Sequence, residues 1–491
     1  MNEEAFVDTN FPLFSKKTKK SFSKHPQNSH IQVPKQNPEI CIEEHLQIEK
    51  QTPLSNDNED LSSTPNFSDL GLSEWATQTC LELGMKKPTQ VQRYCIPKIL
   101  AGNDVLGIAH TGSGKTAAFV LPILHSLADD PYGVLALVVT PTRELAFQLA
   151  EQFRALGSSL HVRCTVVVGG MDMITQSKAL IQRPHIVITT PGRIKVLLED
   201  NPDISSVFSR TKFLVLDEAD RVLDVDFEEE LRVIFKWLPK KRQTLLFSAS
   251  KSGDLQALLE LSSNKAFCFE AHEGLQTVDS LTQKYLTVPE HVKHIYLSYI
   301  LSKMEDMGVR SAIVFFNSCS KCHKLAKMFE VLDQKVAELN STLPTHGRLA
   351  SIHRFKSGQV PILLATGVGE RGLDIPTVDL VILYDIPRDP VAYVHRVGRT
   401  ARAGRGGLVV SMVSGNEVEL LHEIEAKLGK KMEEFEYKEK EALADMSKVN
   451  KARRVADMKL FDDGFDDSMK MRKKQRLKIL AEKNQKRNKI L

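Results

Sequence analysis

Ala109-His110-Thr111-Gly112-Ser113-Gly114-Lys115-Thr116 is the stretch that decides the fold. Before it, Asp104-Val105-Leu106-Gly107-Ile108 is a short apolar run of buried-strand type. After it, Ala117-Ala118-Phe119-Val120-Leu121 reads as the opening of a helix. Strand, glycine-containing turn and helix, in that order, is the context a phosphate-binding loop requires. The glycines let backbone N–H groups converge on phosphate oxygens without a Cβ in the way. The helix N-terminus adds a partial positive charge. Lys115 is placed to reach β- and γ-phosphates, and the Thr116 hydroxyl to ligand Mg²⁺. Ala109 stands where the pattern usually begins with Gly, a position that needs a small residue more than it needs Gly.

Around this loop, short Val/Ile/Leu runs alternate with amphipathic stretches. Val134 to Thr140 precedes Arg143 to Leu156, and Cys164 to Val168 precedes Met171 to Gln182. His185 to Thr189, Lys212 to Asp217 and Gln243 to Ser248 follow. Such alternation predicts an α/β domain, a parallel sheet covered on both faces. The pattern weakens near Ala271 to Leu281 and then restarts with Gln283 to Val288, Ser311 to Phe316, Lys335 to Leu339, Pro361 to Ala365, Val378 to Tyr384 and Gly407 to Val413. The expected organisation is therefore a disordered extension over 1–65, a sheet domain over 66–272, a linker over 273–282, a second sheet domain over 283–429 and a charged, basic tail over 430–491.

The chain has 491 residues, a hydrophobic fraction of 42% and a net charge of +4. Its length suits two or three domains. Seven scattered Cys and the lack of a secretory h-region after Met1 point to a reducing compartment. No apolar run approaches the ~18 residues of a membrane span, which argues against a membrane partner. Lys16-Lys17-Thr18-Lys19-Lys20 reads equally as a nuclear import signal or a solvated basic run. Cys319-Ser320-Lys321-Cys322 mimics half a metal or redox site, but no second pair with ligand spacing accompanies it.

Asp217-Glu218-Ala219-Asp220 follows the buried run Phe213-Leu214-Val215-Leu216. Ligands of open α/β sheets gather at the carboxyl ends of strands, so Asp217 is expected beside the phosphate loop. There Asp217 would hold Mg²⁺, partly through water, and Glu218 would polarise the water attacking the γ-phosphate. With a phosphate loop upstream, this tetrapeptide resembles the signature of the DEAD-box RNA helicases, and the family's other motifs occur in order. Phe67, Gly84, Pro88, Thr89 and Gln92 are similar to its Q motif, which implies stacking of Phe67 on adenine. Gln92 carries both a donor and an acceptor, the equipment for bidentate pairing with adenine N6 and N7.

Pro141-Thr142-Arg143, Gly169-Gly170 and Thr190-Pro191-Gly192-Arg193 resemble the RNA-contacting motifs. Each follows a predicted strand, and hydroxyls, helix-start N–H groups and Arg all suit phosphate contacts. Ser248-Ala249-Ser250 resembles the motif that couples the ATP and RNA sites, with a hydroxyl kept where Ser-Ala-Thr is commoner. His110 stands where Gln or Glu is common.

In the second domain, Thr366 and Arg371-Gly372-Leu373-Asp374 resemble the motif that contacts RNA and the ribose, with Gly367 in place of the usual Asp. Asn340 and Thr345 also depart from the family pattern, whereas Arg348, Phe355 and Gly358 fit it. Tyr393-Val394-His395-Arg396-Val397-Gly398-Arg399-Thr400-Ala401-Arg402 resembles the motif whose guanidiniums act as arginine fingers, here Arg399 and Arg402, with His395 in a coupling role. Arg suits that task because its charge is fixed and its geometry bidentate.

The resemblance covers about Phe67 to Leu428. It implies two RecA-like domains, ATP and Mg²⁺ as ligands, a monomer, and backbone-directed RNA binding with local duplex unwinding. The segment from Val449 through Asp463 and the basic end make the chain similar to the nucleolar branch serving small-subunit ribosome assembly. That implies pre-rRNA and assembly proteins as partners. An RNA clamp that hardly unwinds and a DNA-dependent motor are the alternative classes, which a strand-displacement assay separates.

Overall fold

The computed structural model of the chain describes residues 49–51, 65–110, 112–251, 253–260, 264–271, 281–369, 375, 377–401, 406–465, 467, 470, 471, 474 and 478. The chain divides into two compact units, after Glu273.

The first unit is a wholly parallel sheet of β1 (Glu49–Gln51), β2 (Asp104–Ile108), β3 (Ala136–Val139), β4 (Cys164–Val167), β5 (Ile186–Thr189), β6 (Phe213–Asp217), β7 (Gln243–Ser248) and β8 (Ala266–Glu270). Their spatial order is β1-β8-β2-β7-β6-β3-β5-β4. The continuous apolar runs become strands because both faces are covered. One face packs the Phe119, Phe153 and Phe247 cluster, the other the Leu197, Phe208 and Ile234 cluster. Every residue of β2, β3, β5, β6 and β7 is buried.

The second unit repeats the design with β9 (Leu281–Thr287), β10 (Ala312–Phe315), β11 (Val336–Leu339), β12 (Ile362–Ala365), β13 (Leu380–Leu383), β14 (Gly407–Val413) and β15 (Glu433–Glu434). The order is β11-β12-β10-β13-β14-β9-β15, again all parallel.

Three features depart from the sequence reading. Glu49–Gln51 pairs with Phe267–Phe269 as an edge strand, inside the stretch expected to be disordered; the rest of 1–65 below Pro65 lies outside the described residues. Ala266–Glu270 is a strand beside β2 that the sequence reading did not single out. The second unit also does not end near Gly429. Glu433 and Glu434 pair with β9, and the helix Met446–Asp462 buries Val449, Ala452, Ala456 and Leu460, the first three within the core cluster of Ile295, Phe329 and Tyr296. Those four positions recur at helical spacing, a signal diluted by five Lys and Arg in the same helix.

Cys322 is buried with its thiol on the Leu364 carbonyl at 3.5 Å, and Cys319 Sγ lies 3.3 Å from Ser341 Oγ. No described helix is long and apolar enough to cross a membrane.

Candidate active site

Strand register sets out the first unit's motifs. Ile108 pairs with Ser248, and Asp217 with Phe247, so the phosphate loop, Ser248-Ala249-Ser250 and Asp217-Glu218 leave the sheet side by side. Val139 pairs with Thr189, which pairs with Val167. The segments holding Thr142-Arg143, Gly169-Gly170 and Thr190 to Arg193 therefore leave it side by side as well. The carboxyl edge of one sheet carries the nucleotide motifs on β2, β7 and β6, and the expected RNA motifs on β3, β5 and β4.

Within the phosphate loop, Gly112 and Gly114 adopt φ +86° and +91°, left-handed values that suit Gly. Gly114 opens the helix Lys115–Asp129. A Cβ there would collide with Gln92 Nε2 and lie 2.9 Å from Thr89 Oγ1. Ser113 Oγ is buried without a hydrogen-bond partner, as fits a cradle built to surround an anion. Lys115 Nζ donates to the carbonyls of Ala109 and, at 3.2 Å, His110. Its ammonium thus sits inside its own loop. His110 is exposed, Thr116 is half-buried, and Thr111 lies outside the described residues. The Ala109 N–H donates to the Ser248 carbonyl at 3.1 Å, tying this loop to its neighbour.

Gln92 is 3% exposed and already engaged at both ends. Its Oε1 accepts from the Thr89 N–H at 2.9 Å, capping its own helix, and its Nε2 donates to the Gly114 carbonyl at 3.1 Å. Each end keeps one further valence, a second amide hydrogen and a second lone pair, for a base edge. Phe67 is 2% exposed and packed in the first core cluster. It presents no open face to a base in this conformation, in contrast to the stacking expected of it, because Phe67, Leu70 and Leu72 all insert into the same apolar layer.

Asp217 ends β6 at 5% exposure. Burial, then the neighbouring Glu218 charge, pushes its carboxyl up to about 7, partly offset by Lys115. A second cation at this place would relieve that burden, so the donor set fits Mg²⁺. Glu218 occupies the left-handed region at φ +50°, ψ +51°, a conformation that disfavours a non-Gly residue by roughly 1–2 kcal/mol. Its carboxylate lies 3.4 Å from the Arg221 guanidinium. Asp220, absent from the expected site set although it stands in the same tetrapeptide, accepts from Ser250 Oγ at 2.8 Å. Ser248 Oγ donates to the Ser250 carbonyl at 2.7 Å. These bonds lace two adjacent strand ends together.

On the other half of the edge, Thr142 caps the helix Arg143–Leu156 by accepting from the Leu145 N–H. The Arg143 guanidinium lies against Gly169, where a Cβ would stand 3.0 Å from its Nη2. Arg193 donates to the Met171 carbonyl at 3.2 Å. Thr190 and Pro191 open the helix that contains the exposed Gly192, and Gly170, also exposed, has φ +78°. Half-buried Pro141 precedes the Thr142 cap. Gln176 was invisible to motif reading. Its buried Nε2 donates to the Val168 carbonyl at 3.0 Å, directly under the Gly169-Gly170 turn.

In the second unit, Thr366 follows β12 at 5% exposure. His395 is 8% exposed in the helix Pro390–Val397. Arg399 is fully buried, whereas the sequence reading expects a guanidinium that reaches out. The same segment is anchored by Arg396, which donates to Asn317 Oδ1 at 2.9 Å and lies over the Phe315 ring. Gly372, Asp374 and Arg402 lie outside the described residues.

The family described as DEAD/DEAH box helicase matches residues 89–258, and that described as helicase conserved C-terminal domain matches residues 292–404. The chain is 63% identical over 428 residues to DEAD-box ATP-dependent RNA helicase 36 of Arabidopsis thaliana, covering 87% of each. It is 43% identical over 408 residues to ATP-dependent rRNA helicase RRP3 of Coccidioides immitis, covering 83% of this chain and 85% of that one. Among solved structures it is similar to S. cerevisiae Dbp5 bound to RNA and ADP BeF3, at 27% identity and a TM-score of 0.69, over 80% of this chain and 99% of that one. One helicase family on the first sheet, its companion on the second, and a relative aligned along nearly nine-tenths of the sequence place this chain among the DEAD-box ATP-dependent RNA helicases, enzymes that hydrolyse ATP and act on RNA.

Proposed function

We propose that this chain remodels ribosomal RNA precursors during small-subunit assembly, working as a monomer in the nucleus, at the nucleolus, beside ribosome-assembly proteins. Support comes from the 43% identical relative named as an rRNA helicase, and from a basic C-terminal end suited to polyanions.

In this reading Ala109 to Thr116 cradle the ATP phosphates and Lys115 leaves its carbonyl partners for the γ-phosphate. Gln92 spends its remaining donor and acceptor on adenine. Asp217 and Thr116 hold Mg²⁺, partly through water. Mg²⁺ supplies charge neutralisation at the phosphate oxygens. Glu218 takes the proton of the attacking water, and Asp220, Ser248 and Ser250 link that carboxylate's segment to the loop. Arg399 and Arg402 stabilise the charge that develops on the transferred group, and Gly372 and Asp374 meet the ribose. Pro141, Thr142, Arg143, Gly169, Gly170, Thr190, Gly192, Arg193 and Thr366 hold the RNA backbone, so binding tolerates sequence. His395 couples the two ligands. The observation that carries this reading is the register aligning Ile108, Ser248 and Asp217 at one sheet edge.

Glu218→Gln tests the chemistry. ATP binding persists while RNA-stimulated turnover falls by about 10²-fold or more, the usual contribution of a general base. Undiminished turnover would sink that assignment. Crosslinking of the protein to cellular RNA tests the target; reads spread over messenger RNA with none on ribosomal precursors reject it.

A further inference from the structure

The helix Met446–Asp462 has two unlike faces. Val449, Ala452, Ala456 and Leu460 are buried against the helices Lys293–Ser302 and Cys319–Val331. Two polar anchors hold it there: His294 Nε2 lies 2.9 Å from Asn450 Oδ1, and Arg453 Nη1 lies 2.8 Å from His294 Nδ1. Beyond the helix, Phe465 stacks on His323 at 4.5 Å. The helix is therefore a fixed part of the second unit.

Its solvent face carries Lys451, Arg454, Met458 and Phe461, spaced by three, four and three residues, hence on one side. Met458 is 67% exposed and Phe461 80%. Two cations followed by an open thioether and an open aromatic ring is a combination that suits a phosphate backbone with unstacked bases. Asp457 is turned to Arg453 at 4.0 Å, and Asp462 and Asp463 close the row at its C-terminal end, where they would repel further phosphates. We infer that this face is a second, rigid binding site for single-stranded RNA, with Lys451 and Arg454 on phosphates and Phe461 stacked on a base. It lies outside the helicase motifs and rests on RNA being the polymer this family acts on. It is distinct from any tethering by the basic residues after Asp467.

The test compares the full-length protein with the triple variant Lys451→Glu, Arg454→Glu, Phe461→Ala. None of these side chains touches the core, so the thermal midpoint is expected to hold. Binding is measured with RNA of about 10 nucleotides, near the span of one site, and with RNA of about 30 nucleotides. The variant binds the short RNA and turns over ATP like wild type. It binds the long RNA about tenfold more weakly, the scale of one lost base stack. Losing two phosphate contacts also flattens the log–log salt dependence on long RNA by about 1.4. Equal binding of long RNA by both proteins overturns the inference and leaves the face to a protein partner. Equal loss on short and long RNA also overturns it, because the effect then belongs to the motif-bearing site. In either case Glu218→Gln still reports separately on the catalytic reading.

Discussion

Gly114 shows how narrow the tolerance is at single positions. Its φ of +91° and the contact any Cβ would make with the Gln92 amide leave no room for Ala. Gly114→Ala is expected to abolish detectable ATP turnover while the protein stays folded, checked by ATPase assay beside a thermal melt. Retained turnover would mean the loop yields more easily than its packing indicates. Asp217 carries a different tension. Burial raises its carboxyl from the ordinary carboxylate range to about 7, so within that window the native state holds a proton that the unfolded chain has lost. Stability from this group is therefore lost as pH rises through that window. Nucleotide-free Asp217→Asn should melt about 3 °C or more above wild type at pH 8, with the gap closing toward pH 4, while ATP turnover disappears. A lower melting point for the variant at pH 8 would refute this.

The residue types at these sites were legible because their chemistry is narrow: Lys-Thr after glycines, adjacent acids after a strand. Gln92 was legible only as a base reader. Its bonds to Thr89 and Gly114 depend on how two segments pack, which no local pattern records.

Among the elements, the buried strands were plain in the sequence because parallel strands covered on both faces are uninterrupted Val/Ile/Leu runs. The docking of the Met446–Asp462 helix was not, since its core face includes two Ala and seven of its other positions are charged. Its docking bears on pH. Arg453 always donates, so His294 Nδ1 must accept and Nε2 carries the hydrogen given to Asn450. Burial lowers the His294 pKa below its ordinary 6.5, with Arg453 and His291 working the same way and Asn450 and Asp457 against them. A base with a depressed native pKa contributes stability above 6.5, lost as pH falls through the native value. The second unit should therefore melt progressively lower below pH 6.5, and His294→Phe should flatten that dependence. Identical pH profiles would show that the imidazole does not govern docking. Ala456→Asp, which buries a charge against Phe329's cluster, should destabilise the unit by about 3 kcal/mol or more. A denaturant melt unchanged in midpoint would disprove that.

Over the whole molecule, charge is unevenly distributed. The residues after Asp467 hold ten Lys and Arg against Glu482, so their removal takes the net charge from +4 to −5. Truncation there leaves every motif in place. It should weaken RNA binding at moderate salt and make its salt dependence shallower, with turnover at saturating RNA near wild type. Parallel salt plots of equal affinity would assign the tail to import or partner docking instead. The two-unit plan was legible because the strand–helix rhythm stops and restarts. Its true extent was not, because β15 is two glutamates long and takes its place from pairing with β9 alone.

That pairing has a consequence for the chain as it is made. β9 is the first strand of its sheet to leave the ribosome, yet it lies between β14 and β15, near the end of the sequence. The apolar cluster over that sheet closes only with Ala456. The first sheet, in contrast, is complete at Glu270. At roughly 5–20 residues per second, about 10–40 s separate the two events. For that interval the nascent polypeptide displays a finished nucleotide cradle while its other half is still an unpaired edge, which makes that half the part in need of a chaperone.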